Sequence, residues 1–226
     1  LASFPKSGNT WLRFIISNIV NIENNYFKEV DFYNIRYLTP EIRENRTLHG
    51  IKCSPNNPVF LKTHFPYINQ FKQYNSVLLY RHPTDVLRSY FRYLMEEKGK
   101  RFKSFNHFIK HWRYGVPAWV NFHKLWFGRY DYIIEYDKLI ADPFHEVRQL
   151  LDYFNYPVND SLIRQAILLS NRQNMRRILE EKGDPMAKNK KFQFISDTNL
   201  SIDISSDDFK HIEDKTMHIR RLYNKL

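Results

Sequence analysis

Three short stretches of the sequence gather residue types that bind anions or move protons. In Pro5-Lys6-Ser7-Gly8-Asn9-Thr10-Trp11, one ammonium, two hydroxyls and an amide surround a glycine. Backbone N–H groups in such a loop, at the start of a helix, are presented to an oxyanion. Gly8 lets the main chain approach that anion closely. Lys6 adds a mobile positive charge, Ser7, Asn9 and Thr10 add neutral donors, and Trp11 offers a flat face to a purine. Taken alone, the stretch reads as readily as an ordinary turn ahead of a core tryptophan. In Leu61-Lys62-Thr63-His64-Phe65-Pro66, a neutral imidazole can accept a hydroxyl proton near pH 7. Lys62, two residues earlier, points to the same side of an extended chain. A lone histidine among 9 is more often structural. In Tyr80-Arg81-His82-Pro83-Thr84-Asp85-Val86-Leu87-Arg88-Ser89-Tyr90, Arg81 suits bidentate phosphate binding, and Ser89 reaches the same group if the chain turns back. Arg88, Arg92, Lys98 and Lys100 read as a solvated face.

These stretches need elements to position them. Residues 1–4, 59–62, 76–80 and 131–135 are short apolar runs that predict four buried strands. Helical spacing predicts helices over 11–22, from Pro83 onward, over 104–128 with a break near Gly115-Val116-Pro117, and near 143–155, 160–181 and 206–224. Residues 23–58 read as helix fragments and loops, and 184–205 as loop. Strands alternating with helices predict an α/β fold: a central parallel sheet flanked by helices, P-loop-like, in three α/β/α layers. The three reactive stretches then fall where ligands bind such sheets, beyond the carboxyl ends of the strands.

The chain has 226 residues, read as a single domain, with 42% hydrophobic and 16% aromatic residues to build a core. Its net charge of +11, spread from Lys6 to Lys225, calls for an anionic partner. Charge alone leaves nucleic acid, an acidic lipid surface and a phosphorylated or sulfated small molecule all open. Cys53 is the only cysteine, which excludes an intrachain disulfide and agrees with a reducing, cytoplasmic setting. No apolar run is long enough to span a bilayer. Leu1 is not an initiator methionine, so a preceding segment is expected. Asn45-Arg46-Thr47, Asn159-Asp160-Ser161 and Asn199-Leu200-Ser201 match the glycosylation pattern at a length common by chance.

The first stretch lacks the Gly-Lys-Ser/Thr of nucleotide kinases. It resembles the 5′-phosphosulfate loop PKSGTTW of sulfotransferases that use 3′-phosphoadenosine 5′-phosphosulfate (PAPS), with Asn9 in place of a threonine. KTHFP resembles that family's KTHLP, and Arg81 and Ser89 match its 3′-phosphate positions. Tyr136-Asp137-Lys138-Leu139 with Asp142-Pro143 is similar to its YEDL…DP stretch, and Ser170 to a helix-end residue at the adenine. The family's RKGxxGDWK loop has no match in Lys188-Asn189-Lys190-Lys191-Phe192, where Lys190 or Lys191 is a candidate substitute. The resemblance implies sulfuryl transfer from PAPS to a hydroxyl or amine, leaving 3′-phosphoadenosine 5′-phosphate (PAP). It implies His64 as base, and Lys62 and Lys6 as charge stabilisers. Residues 6–11, Arg81, Ser89, Tyr136 and Ser170 would hold the donor. No metal, nucleic acid or membrane partner is expected, and the acceptor is a small molecule or glycan. A P-loop kinase, a basic nucleic-acid-binding domain and an inactive nucleotide-binding relative remain the alternatives.

Overall fold

The computed structural model describes residues 1–42, 52, 57–189, 202 and 204–223. Cys53, Lys190, Lys191, Asn45-Arg46-Thr47 and Asn199-Leu200-Ser201 lie outside the described residues.

Two regular strands, β1 (Val77–Tyr80) and β2 (Tyr132–Glu135), pair in parallel with Val77 opposite Tyr132. Three further segments extend the array as single bridges. Ala2 pairs in parallel with Leu78 and with Thr63, and Lys62 pairs with Glu41. The Ala2 N–H donates to the Val77 carbonyl at 2.7 Å, and the Leu79 N–H returns to the Ala2 carbonyl at 2.9 Å. The expected strands at 1–4 and 59–62 are thus present as extended bridging segments rather than full strands. A segment at Pro40–Ile42, inside the stretch read as loops and helix fragments, completes the edge through Lys62.

Alternation along β1 sets the layers. Val77 and Leu79 face one side with Leu12, Phe14, Ile15, Ile16 and Ile19, while Leu78 and Tyr80 face the other with Phe4, Trp119, Phe122 and Trp126. Helix α1 (Asn9–Asn24) supplies the first layer, packed on α8 (Asp160–Leu169). Helices α3 (Pro83–Arg92), α5 (Val116–Trp126) and α10 (Ser206–Tyr223) supply the second. Leu12, Ile15, Ile16 and Ile19 recur at helical spacing on α1 and are all fully buried, which fixes its rotation on the sheet. The remaining described α-helices are α2 (Ile35–Leu38), α4 (Phe105–Ile109), α6 (Tyr136–Ala141), α7 (Pro143–Tyr153) and α9 (Arg172–Lys182), and a 3-10 helix covers Asn69–Gln73.

Local chemistry sets the ends. Pro83 opens α3, with Asp85 in its first turn. Asp142 caps α7 by accepting from the His145 N–H at 3.0 Å. The helix expected over 160–181 is two helices, because Asn171 caps α9 through the Asn174 N–H at 2.8 Å and the chain turns at Ser170. A π-helical turn, Tyr93–Glu97, extends α3. Of the tryptophans at 112, 119 and 126, the last two are core, while Trp112 is 75% exposed.

Candidate active site

The loop from Phe4 to α1 bends through two left-handed residues, Lys6 at φ 71° and Gly8 at φ 98°. A lysine held there needs surroundings that over-determine it. The Arg81 guanidinium provides them, donating from Nη1 to the Lys6 carbonyl at 3.2 Å while packing 4.4 Å above the Tyr136 ring. Glycine at position 8 has a second cause beyond its dihedral. A Cβ there would lie 2.2 Å from the Tyr136 ring. Tyr136 therefore sits between Gly8, Arg81 and Trp11, whose ring meets it edge-on at 6.4 Å. The Trp11 indole N–H donates to the Ser170 carbonyl at 3.0 Å. The Ser170 hydroxyl is turned inward, donating to the Ala166 carbonyl at 2.7 Å and meeting the Asn18 amide at 3.0 Å. Ser170 thus bears on this site by orienting Trp11.

Around Lys6 the structure gathers cations that the sequence placed on a solvated face. The Lys6 ammonium lies 5.0 Å over the Tyr93 ring, and the Lys98 ammonium lies 5.1 Å from the same ring. The Lys6 pKa is lowered to about 7, first by burial, then by Arg92 and Arg81, with Glu97 opposing. The solvated-face reading is therefore corrected for Arg92 and Lys98. They follow Ser89 and Tyr93 round α3 and its π-helical extension, back over the loop. Arg88 is half-buried and Lys100 exposed. Ser89 precedes Tyr93 by one helical turn and shares its face.

Glu97, nearly fully buried, fixes the start of the basic segment. Its carboxylate accepts from the Lys188 and Asn189 N–H groups at 2.7 and 3.0 Å and pairs with Lys98 at 3.1 Å. Burial acts to raise its pKa, yet these donors hold it below the usual carboxylate value.

His64 is tied to the same loop from the other side. Its Nδ1 lies 2.8 Å from the Ser3 carbonyl, which can only accept, so Nδ1 carries the proton and Nε2 the lone pair. The Ser3 hydroxyl lies 3.3 Å from Nδ1 and accepts from the Asn9 amide at 3.0 Å. Burial and then Lys62 lower the His64 pKa to about 3, against the Ser3 contact and Glu41. Lys62 pairs with Glu41 at 3.1 Å. Neither Ser3 nor Glu41 stood out in the sequence. Ser3 acts mainly through its carbonyl, which any residue has, and Glu41 lies in an irregular stretch.

The buried Ser7 Oγ, Thr84 Oγ1 and Arg81 Nε have no hydrogen-bond partner among the described residues, nor does Asn9 Oδ1. An unsatisfied buried donor costs about 1–3 kcal/mol. Three of these atoms can donate, and they flank the loop and the start of α3, so the donor set fits an anionic ligand. Thr10 is half-buried in the first turn of α1. Among the described residues no group of His, Cys, Asp and Glu could hold a metal ion, and no helix is long and apolar enough to cross a membrane.

A parallel three-layer α/β sheet with a cationic, glycine-containing loop at its strand ends defines a P-loop-like protein. Residues 1–203 match the family model described as sulfotransferase domain, and the chain belongs to the sulfotransferase family. It is 24% identical over 185 residues to the WSCD family member CG9164 of Drosophila melanogaster, covering 74% of this chain and 53% of the relative. It is 27% identical over 200 residues to sulfotransferase 1E1 of Mus musculus, covering 78% and 65%. The chain therefore spans less than two thirds of these relatives. Its fold superposes on mouse sulfotransferase SULT7A1 complexed with PAP, with a TM-score of 0.66, 16% identity and 99% and 87% of the two chains covered. Retinol dehydratase in complex with retinol and PAP gives a TM-score of 0.68, 16% identity and coverage of 96% and 79%.

Proposed function

We propose that residues 1–226 form one catalytic domain that transfers a sulfuryl group from PAPS to a hydroxyl or amine acceptor, with His64 as general base. One observation carries this reading. The Arg81 guanidinium is bonded to the Lys6 carbonyl, and Asn9 is linked through Ser3 to His64. Phosphate-type and proton-accepting groups from three strand ends thus meet on one loop. Family membership and the PAP named in the structural relatives support the choice of donor.

When bound, the donor supplies a sulfuryl group activated by its phosphate leaving group. The chain's own residues then bind, orient and move a proton. Arg81 and Ser89 hold the 3′-phosphate, and residues 6–11 hold the 5′ end, with Trp11 and Tyr136 at the base and Ser170 fixing the indole. His64 Nε2 accepts the proton of the attacking hydroxyl as the acceptor oxygen bonds to sulfur. Lys62 and Lys6 offset charge on the transferring and leaving oxygens, where a loose in-line transition state concentrates it. A small-molecule acceptor is the simplest class, since the solved relatives include complexes with retinol and androsterone. A chain with Cys53 as its only cysteine needs no oxidising compartment, which supports a cytoplasmic site.

Incubation with sulfur-labelled PAPS against a panel of alcohols, phenols, amines and glycans tests the proposal. Label transfer that survives EDTA is expected. Binding of PAP with no transfer to any acceptor would instead favour the inactive nucleotide-binding relative.

A further inference from the structure

The π-helical turn Tyr93–Glu97 breaks the helical period at the end of α3. There the Lys98 N–H donates to the Tyr93 carbonyl at 3.1 Å, five residues back. The wider turn carries Glu97 inward to 4% exposure, although Glu96 beside it is exposed. The two carboxylate oxygens are divided between donors. Oε1 takes the Lys188 N–H and the Lys98 ammonium, and Oε2 takes the Asn189 N–H. The Asn189 amide adds a bond to the Glu96 carbonyl at 2.9 Å, and the Lys98 ammonium one to the Met186 carbonyl at 3.5 Å. Residues 186–189 are thus seated on the turn by backbone and side chain alike.

The same turn borders the positive charge of the donor loop. Tyr93, its first residue, has the Lys6 ammonium 5.0 Å and the Lys98 ammonium 5.1 Å from its ring. Burial, Arg92 and Arg81 all disfavour the charged form of Lys6, and Glu97 opposes them. Arg92 is itself paired with Glu96 at 2.9 Å. Cations gathered for an anion repel one another before it binds, and a buried carboxylate among them offsets that repulsion. A neutral amide could tie down a loop at lower desolvation cost, whereas a carboxylate also balances the cations.

We propose that Glu97 is a positioning residue for donor binding: it clasps residues 186–189 to the turn and keeps the cations around the loop charged and in place before the bisphosphate arrives. The inference rests on the sulfuryl-transfer reading and adds to it a residue that touches neither donor nor acceptor.

Calorimetric titration with PAP from about pH 6 to about pH 8.5 tests the role in wild type, Glu97→Gln and Asn189→Pro. Glu97→Gln is nearly isosteric but uncharged, so Lys6 should lose its proton at a lower pH. PAP affinity is expected to fall roughly tenfold at about pH 7.5, with the gap closing toward pH 6 and the pH midpoint moving down. Asn189→Pro deletes one donor to the carboxylate and leaves every charge, so it should weaken PAP while keeping the wild-type midpoint. Thermal unfolding reports that each variant is folded. If wild type fails to bind PAP, the sulfuryl-transfer reading falls, and this inference with it. If wild type binds and Glu97→Gln matches it, or is weakened equally at every pH, Glu97 only packs the fold and the inference is overturned. Should Glu97→Gln not fold, Asn189→Pro decides, and wild-type affinity in that variant overturns the clasp.

Discussion

Desolvation lowers the pKa of two site residues, which keeps the His64 imidazole neutral and brings the Lys6 ammonium close to its titration point at neutral pH. His64 at a pKa of about 3 is neutral throughout the physiological range, with its lone pair confined to Nε2 by the Ser3 carbonyl. His64→Ala should lower turnover roughly a hundredfold or more while PAP affinity stays close to wild type. The kcat/KM profile should show no acid limb between pH 5 and 7 from this group, whereas a limb at the ordinary imidazole value of 6.5 would contradict the assignment. Lys6 is different, because its pKa of about 7 leaves it partly neutral before an anion arrives. A bound phosphate or sulfate raises that pKa, so binding takes up a proton. Affinity for PAP is then full below pH 7 and declines as pH rises above it. Calorimetry in buffers of differing ionisation enthalpy should show proton uptake near pH 7.5, and none would discard this role.

At the scale of elements, the loop and α6 lock together through the contact of Gly8 with Tyr136. Gly8→Ala introduces a Cβ 2.2 Å from that ring at a left-handed φ of 98°. It should destabilise the fold by about 1–3 kcal/mol in urea unfolding and weaken PAP binding, since Arg81 stacks on the same ring. An unchanged midpoint would show that Tyr136 moves aside freely. The residues that meet around the loop were legible beforehand, because Lys6, Gly8, His64 and Arg81 each sit in a short contiguous motif. The reason for the glycine was not, since Tyr136 lies 128 residues away and meets it only through packing. The short bridging strands at Ala2 and Lys62 were read as full strands, because apolar runs reveal burial but not how many ladder bonds form. Periodicity alone runs one helix over 160–181, although the resemblance makes Ser170 a helix-end residue; Asn171 sets the break by capping α9. Lys98 looked solvated because a period of 3.6 residues does not include the π-helical turn that precedes it.

Across the whole molecule, two neutral histidines, the half-buried His64 and the fully buried His123, make stability depend on pH. His64 and His123 are both lowered to about 3 by burial, from an ordinary 6.5. The unfolded chain binds protons that the folded chain refuses between those values, so their contribution is complete above 6.5 and is lost as pH falls toward 3. Tm should therefore fall steadily from pH 6.5 to 4, and His123→Phe should reduce that slope. A flat Tm over this interval would mean that the two rings are not held neutral. Part of the net charge of +11 lies at the strand ends, where the Arg81 guanidinium bonds the Lys6 carbonyl.

The account turns on Arg81 and the loop gripping a doubly phosphorylated adenosine, and competitive calorimetry with PAP and adenosine 5′-phosphate addresses it most directly. PAP is predicted to bind wild-type protein roughly tenfold to a hundredfold more tightly than adenosine 5′-phosphate, with Arg81→Ala abolishing the preference. Equal affinity of the two nucleotides for the wild-type chain would contradict it.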